Sequence, residues 1–139
     1  MESGVINKKI LGGELRDIFD SGSVISDLVG SGAGNNWAQG HMEYGPKYKL
    51  EIEEKVRSAA EKCDSLQGFF FLHSLGGGTG SGLGTYILED MQDLYPSVFR
   101  FSTCVFPSQD DDVITSPYNS MLALNTLINS ADCILPVDN

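Results

Sequence analysis

The sequence has 139 residues, a length typical of one domain or part of one. Nine Lys and Arg against nineteen Asp and Glu give a net charge of −10, which argues against a nucleic-acid partner. Hydrophobic residues make up 41% of the chain, enough for a packed core, and no apolar run approaches the roughly 20 residues of a membrane span. Disorder and membrane insertion are therefore excluded.

The three cysteines are Cys63, Cys104 and Cys133, and they lie far apart in the sequence. Their spacing matches no zinc motif, and their number is odd. The chain also has no N-x-[ST] sequon and no basic-then-apolar leader. These features predict reduced thiols buried in the core of an intracellular protein.

Predicted strands and helices alternate along the chain. Apolar runs rich in β-branched and aromatic residues predict strands, and segments of helical period predict helices. In chain order these are strand 23–29, helix 47–63, strand 67–73, helix 81–95, strand 98–106, helix 118–130 and strand 131–137. Such alternation predicts an α/β fold with right-handed crossovers.

Two features refine this prediction. The second strand is apolar from Phe69 to Leu72 without alternation, which is typical of a central parallel strand covered on both faces. Pro96 ends one predicted helix and Pro117 begins the next. The expected buried faces of the three helices are Ile52, Val56, Ala59, Ala60 and Cys63, then Leu83, Ile87, Met91 and Leu94, then Tyr118, Met121, Leu122 and Ile128.

The most specific stretch runs from Ser74 to Gly82, between the most apolar strand and a helix. Five of the seven residues 76–82 are glycines. A strand-to-helix turn in an open α/β sheet lies at the edge where ligands bind. Glycines there permit positive φ angles and expose consecutive N–H groups, while the helix N-terminus favours negative charge. Since Arg100 is the only basic residue after position 62, main-chain amides must hold any anion bound there, helped by the hydroxyls of Thr79 and Ser81.

Two competing motifs are excluded by their spacing. A P-loop requires Lys after its last glycine, and Leu83 occupies that position. The dinucleotide fingerprint G-x-G-x-x-G fails in both glycine clusters, which disfavours an NAD(P) oxidoreductase. The remaining alternative is that the glycines only permit a tight turn and close helix packing.

A second glycine cluster spans Gly30–Trp37. It also follows a predicted strand, so it can form another phosphate-facing turn at the same edge. Asn35 and Asn36 offer neutral donors there. Taken alone this cluster is a weak signal, because Gly-Asn stretches are often ordinary turns.

The run GGGTGSG at 76–82 resembles the signature of the tubulin family, whose members bind GTP. Further matching segments occur in the order and at the spacing of eukaryotic tubulins: 32–41, 63–68, 73–75, 117–119 and 137–139. The resemblance covers the whole chain. Within the family, the stretch 111–119 is most similar to a branch found at centrioles and basal bodies.

The resemblance implies a partial doubly wound parallel sheet of the tubulin/FtsZ-type GTPase domain over residues 1–139, lacking its first strands. It implies that terminal phosphates contact Ala33, Gly34 and Asn35, and that guanine contacts Asn139. The implied phosphate-binding turn comprises Ser74, Gly77, Gly78, Thr79, Gly80 and Ser81. Ser116 stands where lattice tubulins carry a ribose-contacting Glu, which implies a weaker, neutral partner.

The implied ligand is GTP with its associated Mg²⁺, and the implied partners are other tubulin subunits in the cytoplasmic cytoskeleton. The family hydrolyses GTP at a head-to-tail contact, where an acidic residue of the next subunit orients water. Because that region is not in this sequence, we expect binding without turnover by this chain alone. We also expect the strand at 67–73 to expose an unpaired edge, and the isolated chain to fold poorly.

A truncated interaction module that binds no nucleotide is the alternative function. Other candidate sites are weaker. His41 and His73 have no defensible nucleophile beside them and are interpreted as packing residues. The three consecutive carboxylates of residues 110–112 cannot all face one ion, so they are interpreted as a solvated loop.

Overall fold

The computed structural model describes residues 6, 8, 12–14, 16–26, 32–108 and 112–138. Three parallel strands, β1 (Gly68–Ser74), β2 (Phe99–Val105) and β3 (Cys133–Val137), form a sheet of order β1-β2-β3. Its helices are α1 (Gly45–Ala60), α2 (Gly84–Leu94) and α3 (Ser116–Ser130). The predicted α/β fold with parallel strands is confirmed.

Two short π-helical segments lead into the first two helices. Gln39–Tyr44 continues into α1, and Thr79–Leu83 continues into α2. Proline occupies the first turn of α1 and of α3, where its missing N–H breaks no helical hydrogen bond. None of the described helices is long and apolar enough to span a membrane.

The predicted strand at 23–29 is not formed in its described part. Ser21–Ser23 is a single 3₁₀ turn, capped by the Asp20 side chain, and residues 24–26 pair with no strand. The Nζ of Lys55 on α1 donates to the carbonyl of Val24 at 3.1 Å. This carbonyl thus bonds to a side chain and not to the main-chain amide of a neighbouring strand. Residues 27–29 lie outside the described part.

The main core lies between one face of the sheet and helices α2 and α3. Leu75, Leu88, Cys104, Ala123 and Leu127 are buried there. The partly buried hydrophobic residues packed against them are Trp37, Phe71, Phe106, Leu124, Ala131 and Ile134. A second cluster joins the 33–44 segment to α1 and to the π-helical segment before α2, and it comprises Ala33, Tyr44, Ile52 and Leu83.

The opposite face of the sheet is open, so the prediction that β1 is covered on both faces is wrong for this chain. Phe70 and Leu72 are 69% and 77% exposed, and β1 is an edge strand of the sheet that the described residues form. The Phe70 ring stacks on Phe101 of β2, with ring centroids 5.1 Å apart. The apolar run of β1 therefore reflects two apolar faces, of which only one is packed in this structure.

Helix α3 buries a different face from the one predicted. Tyr118, Met121, Leu122 and Ile128 are all exposed. The buried residues of this helix are Ser116, Asn119, Ser120, Ala123, Thr126, Leu127 and Ser130. Small and polar side chains let α3 pack closely against α2 and the π-helical segment before it, and Asn119 bonds to both glycine turns. The apolar period alone therefore gave the wrong face.

The three cysteines are free thiols, but only Cys104 is buried. Cys133 is half-buried, and Cys63 is exposed because α1 ends at Ala60 and the chain turns into solvent before position 63. The predicted burial of all three thiols is therefore wrong for Cys63.

Candidate functional site

A cavity of about 360 Å³ opens at the carboxyl end of β1, between the two glycine-rich turns. Such an edge of a parallel sheet is where α/β folds bind ligands. The residues that line the cavity are Gly32, Ala33, Gly34, Asn35, Ser74, Gly77, Gly78, Thr79 and Gly80. The sequence-predicted turns thus face each other across one space.

Eight of the ten site residues inferred from the sequence lie on this cavity wall: Ala33, Gly34, Asn35, Ser74, Gly77, Gly78, Thr79 and Gly80. Ser81 lies elsewhere. Its side chain is fully buried, and its hydroxyl donates to the carbonyl of Gly77, so it closes the turn from within. Asn139, the residue expected to contact guanine, lies outside the described residues.

Three main-chain amides of the glycine turn have no recorded protein partner among the described residues. Within the described part of the chain, no hydrogen bond outside helices and strands uses the amide of Gly77, Gly78 or Thr79. These residues stand at the start of the π-helical segment that continues into α2, where the first N–H groups lack a helical acceptor. A helix start of this kind favours negative charge.

The glycines at 76–82 serve mainly close packing rather than unusual backbone angles. Positive φ angles occur instead in the other turn, at Gly32, Gly34 and Asn35, with values of 61°, 55° and 52°. A Cβ on Gly78 or on Gly80 would lie less than 3.0 Å from main-chain atoms of neighbouring segments. The packing explanation of the glycines therefore holds for these two positions.

Gly77 is different because it has room around it. A Cβ at this position would meet only the Ser74 hydroxyl at 3.7 Å and the Asn35 side-chain oxygen at 4.0 Å, which is ordinary van der Waals contact. No protein group requires glycine here. The missing side chain instead leaves space in the cavity, which Gly77 lines.

A smaller cavity of about 180 Å³ adjoins the first and shares Asn35, Ser74 and Gly77 with it. The rest of its wall consists of Gly76, Val105, Phe106, Pro107, Val113 and Ser116. The Ser116 hydroxyl donates to the carbonyl of Gly76 at 3.3 Å, and the residue is 2% exposed. At the position that the resemblance connects with ribose, the side chain thus bonds to the glycine turn.

Asn119 of α3 was missed by sequence analysis, although it joins both turns. Its Nδ2 donates to the carbonyls of Asn35 and Gly76 at 2.8 and 2.9 Å, and its Oδ1 accepts from the main-chain amide of Trp37 at 2.9 Å. A polar residue placed inside a helix was the only sequence signal, and it does not identify a partner 84 residues away.

Trp37 and His41 fasten the 33–44 segment to α2. Their rings stack with centroids 4.4 Å apart. The Trp37 indole N–H donates to the Thr85 hydroxyl at 3.2 Å, and His41 Nδ1 lies 3.2 Å from the carbonyl of Gly82. His41 Nε2 also lies 3.4 Å from a carboxylate oxygen of Glu89. The packing role expected for His41 agrees with this geometry.

His73 lies directly behind the glycine turn. Its Nε2 is 2.8 Å from the Ser102 hydroxyl, while its Nδ1 is buried with no hydrogen-bond partner among the described residues. Burial lowers the pKa of His73 and raises the pKa of the neighbouring Cys104 thiol, because desolvation disfavours both charged forms. Both groups are therefore neutral near pH 7.

The cavity wall itself carries no ionisable side chain. The one basic residue of the second half, Arg100, lies at the opposite end of β2 and pairs with Asp132, with Nη2 and Oδ2 3.1 Å apart. Within the described part of the chain, no group of three His, Cys, Asp or Glu is arranged to hold a metal ion. An anion in this cavity would be held by main-chain amides and neutral side chains.

Comparison with known proteins agrees with this geometry. Residues 9–139 match the Tubulin/FtsZ family, GTPase domain. Over all 139 residues the chain is 59% identical to the tubulin epsilon chain of Mus musculus and 57% identical to that of Homo sapiens. It spans 29% of the length of each of these relatives. The chain therefore belongs to the Tubulin/FtsZ family and is a homologue of the tubulin epsilon chain.

Proposed function

We propose that the chain is part of a nucleotide-binding domain and that the cavity between its two glycine turns binds the phosphates of GTP. The observation that carries the proposal is the set of free main-chain amides at Gly77, Gly78 and Thr79, which stand on the cavity wall at the start of a helix. Several such amides, together with the helix dipole, form a binding site for a phosphate chain without any lysine.

The uncharged wall of the cavity also favours binding of GTP without its hydrolysis by this chain. No carboxylate or imidazole lines the cavity, so none of the wall residues described is placed to activate water as a base. Phosphoryl transfer depends on positioning the attacking water and on stabilising charge. We propose that a group from another tubulin subunit supplies the positioning and that Mg²⁺ arrives bound to the phosphates. Such ions keep few protein ligands at phosphate sites.

The substitution Gly77→Ala tests this proposal directly. The added methyl group has room in the folded chain but occupies space in the cavity. We expect the affinity for a fluorescent GTP analogue to fall by about tenfold or more, equivalent to about 1.4 kcal/mol, with an unchanged thermal melting curve. Gly78→Val is a poorer test, because a side chain there collides with the main chain of Asn36.

Gly22→Ala is the matched control for Gly77→Ala. Gly22 is exposed in the 3₁₀ turn, and the atoms nearest to an added Cβ belong to the exposed side chain of Asp20, with Oδ1 at 3.2 Å. We expect this variant to bind like the wild type. Equal weak binding by wild type and Gly77→Ala would overturn the proposal and favour the alternative, an interaction module without nucleotide.

We further propose that the parent protein acts with other tubulin subunits in the cytoplasmic cytoskeleton, at centrioles or basal bodies. The similarity to tubulin epsilon chains over all 139 residues supports this placement. Fluorescent tagging of the parent protein in ciliated cells tests it. Signal that coincides with a centriole marker is the expected result, and signal spread evenly along microtubules would contradict it.

A further inference from the structure

One buried side chain of α3 connects the two turns that form the cavity. Asn119 is 3% exposed. It donates to the carbonyl of Asn35 in the first turn and to the carbonyl of Gly76 in the second. Neither carbonyl belongs to a strand ladder or to a described helix. Asn119 therefore donates to two carbonyls that helices and strands leave without a donor.

The chemistry of an amide suits this role. Its NH₂ group has two hydrogens and its oxygen accepts, so one side chain can bond two carbonyls and one N–H at once. All three of these bonds are present, with lengths of 2.8, 2.9 and 2.9 Å. A carboxylate of the same shape would keep the bond from the Trp37 amide but would place two carbonyl oxygens against an acceptor.

The first turn of α3 strengthens the same connection. The Thr115 hydroxyl donates to the carbonyl of Asn35 at 2.7 Å. The Ser116 hydroxyl donates to the carbonyl of Gly76 at 3.3 Å. Each turn thus receives bonds from two α3-side donors, and both turns are fixed to one helix and therefore to each other.

We propose that Asn119 is a positioning residue that sets the separation of the two turns and thereby the preference for GTP over GDP. The inference rests on the proposed function. The turn of Ala33, Gly34 and Asn35 lies across the cavity from Gly77–Gly80. Only a ligand long enough to contact both turns depends on their separation. If the terminal phosphate contacts residues 33–35, as the family resemblance implies, a triphosphate contacts both turns and a diphosphate contacts the glycine turn alone.

The test compares Asn119→Asp with wild type in three measurements on the 139-residue chain, after circular dichroism has shown that both proteins are folded. We expect the affinity for GTP to fall by about tenfold or more and the affinity for GDP by about twofold or less. Trp37 is the only tryptophan in the sequence, and its amide bonds to Asn119. Its fluorescence therefore reports on the first turn directly, and we expect its emission to shift to the red.

Asn125→Asp is the matched control, since it makes the same change at an exposed position of the same helix. It should leave all three measurements unchanged. Thr115→Val is a second, milder variant in case Asn119→Asp does not fold. Thr115 is exposed, and valine has a similar shape without the hydroxyl. We expect a loss of GTP affinity of about threefold with little change for GDP.

Three outcomes separate the two proposals. An equal loss of GTP and GDP affinity in both variants would reduce Asn119 to a general structural role and overturn the inference. Unchanged nucleotide preference with unchanged Trp37 emission would also overturn it. If wild type binds neither nucleotide, the proposed function fails together with the proposed preference, and the Trp37 emission then decides whether Asn119 holds the turn.

Discussion

The two ends of the sheet are held in different ways. At the carboxyl end, glycine turns, main-chain amides and neutral side chains surround the cavity. At the amino end, the buried guanidinium of Arg100 contacts the carboxylate of Asp132 and donates to the carbonyls of Ser130 and Val98 at 2.8 and 2.9 Å. The amino end is held by an ion pair, whereas the cavity at the carboxyl end is surrounded by uncharged groups.

This difference separates stability from ligand binding. The charge of Arg100 is neutralised where the strands begin, far from the cavity, so it ties β2 to the start of β3 without attracting a ligand. The cavity keeps only the partial charges of N–H groups, which require no countercharge when the site is empty. We therefore expect substitutions at the amino end to change stability, and substitutions at the cavity to change binding.

The largest expected effect is that of Asp132→Ala. The variant leaves the Arg100 guanidinium, whose side chain is 8% exposed, without its carboxylate. We expect the free energy of unfolding to fall by about 3 kcal/mol, because the buried guanidinium and the main-chain amide of Arg100 both lose a charged acceptor. Urea unfolding followed by circular dichroism measures it. Glu61→Ala is the control, because it breaks an exposed pair with Arg57 and should change stability little.

A smaller loss is expected for Gly82→Ala at the carboxyl end. The new Cβ would lie less than 3.0 Å from main-chain atoms of Trp37 and His41, so the two segments must separate. Overpacking of this kind costs about 1–3 kcal/mol. The same urea experiment measures it, with Gly77→Ala as the comparison. Equal stabilities of these two variants would contradict the distinction between packing glycines and a cavity glycine.

The smallest effect concerns pH. Because burial lowers the pKa of His73, the unfolded chain binds a proton more readily than the folded chain. The contribution of His73 is fully favourable above its ordinary pKa of about 6.5 and is lost as the pH falls below that value. The free energy of unfolding, measured from pH 7.5 to 5, should decline less steeply in His73→Gln. An identical slope in both proteins would contradict the claim that burial of His73 contributes to the pH dependence of stability.

Sequence reasoning located the three described strands, the described helices and the two glycine turns because those features depend on local pattern. Strong apolar runs identified β1 and β2 to within a residue at each end, and five glycines in seven residues identified the turn after β1. The placement of both turns at one edge was predicted from the rule that parallel strands end together. The turns do share one cavity, although the strand expected before the first turn is not formed in residues 23–26.

The remaining features depend on contacts between distant segments. The partner carbonyls of Asn119 lie 84 and 43 residues away, and nothing in the local sequence identifies them. The buried face of α3 was wrong for the same reason, since the helix packs through small polar residues that a hydrophobic period does not register. In its described part, residues 23–26, the strand predicted at 23–29 is not formed, and the carbonyl of Val24 bonds to Lys55, 31 residues away.

Asn35 has a consequence for how this protein changes under selection. It is the only described non-glycine residue with a positive φ angle, a conformation that costs an L-residue about 1 kcal/mol and glycine almost nothing. A laboratory search for heat resistance should therefore recover Asn35→Gly. A search for nucleotide binding should reject the substitution, because the side-chain amide of Asn35, a residue on the wall of both cavities, would be lost. Selection for stability and selection for nucleotide binding are therefore expected to favour different residues at position 35.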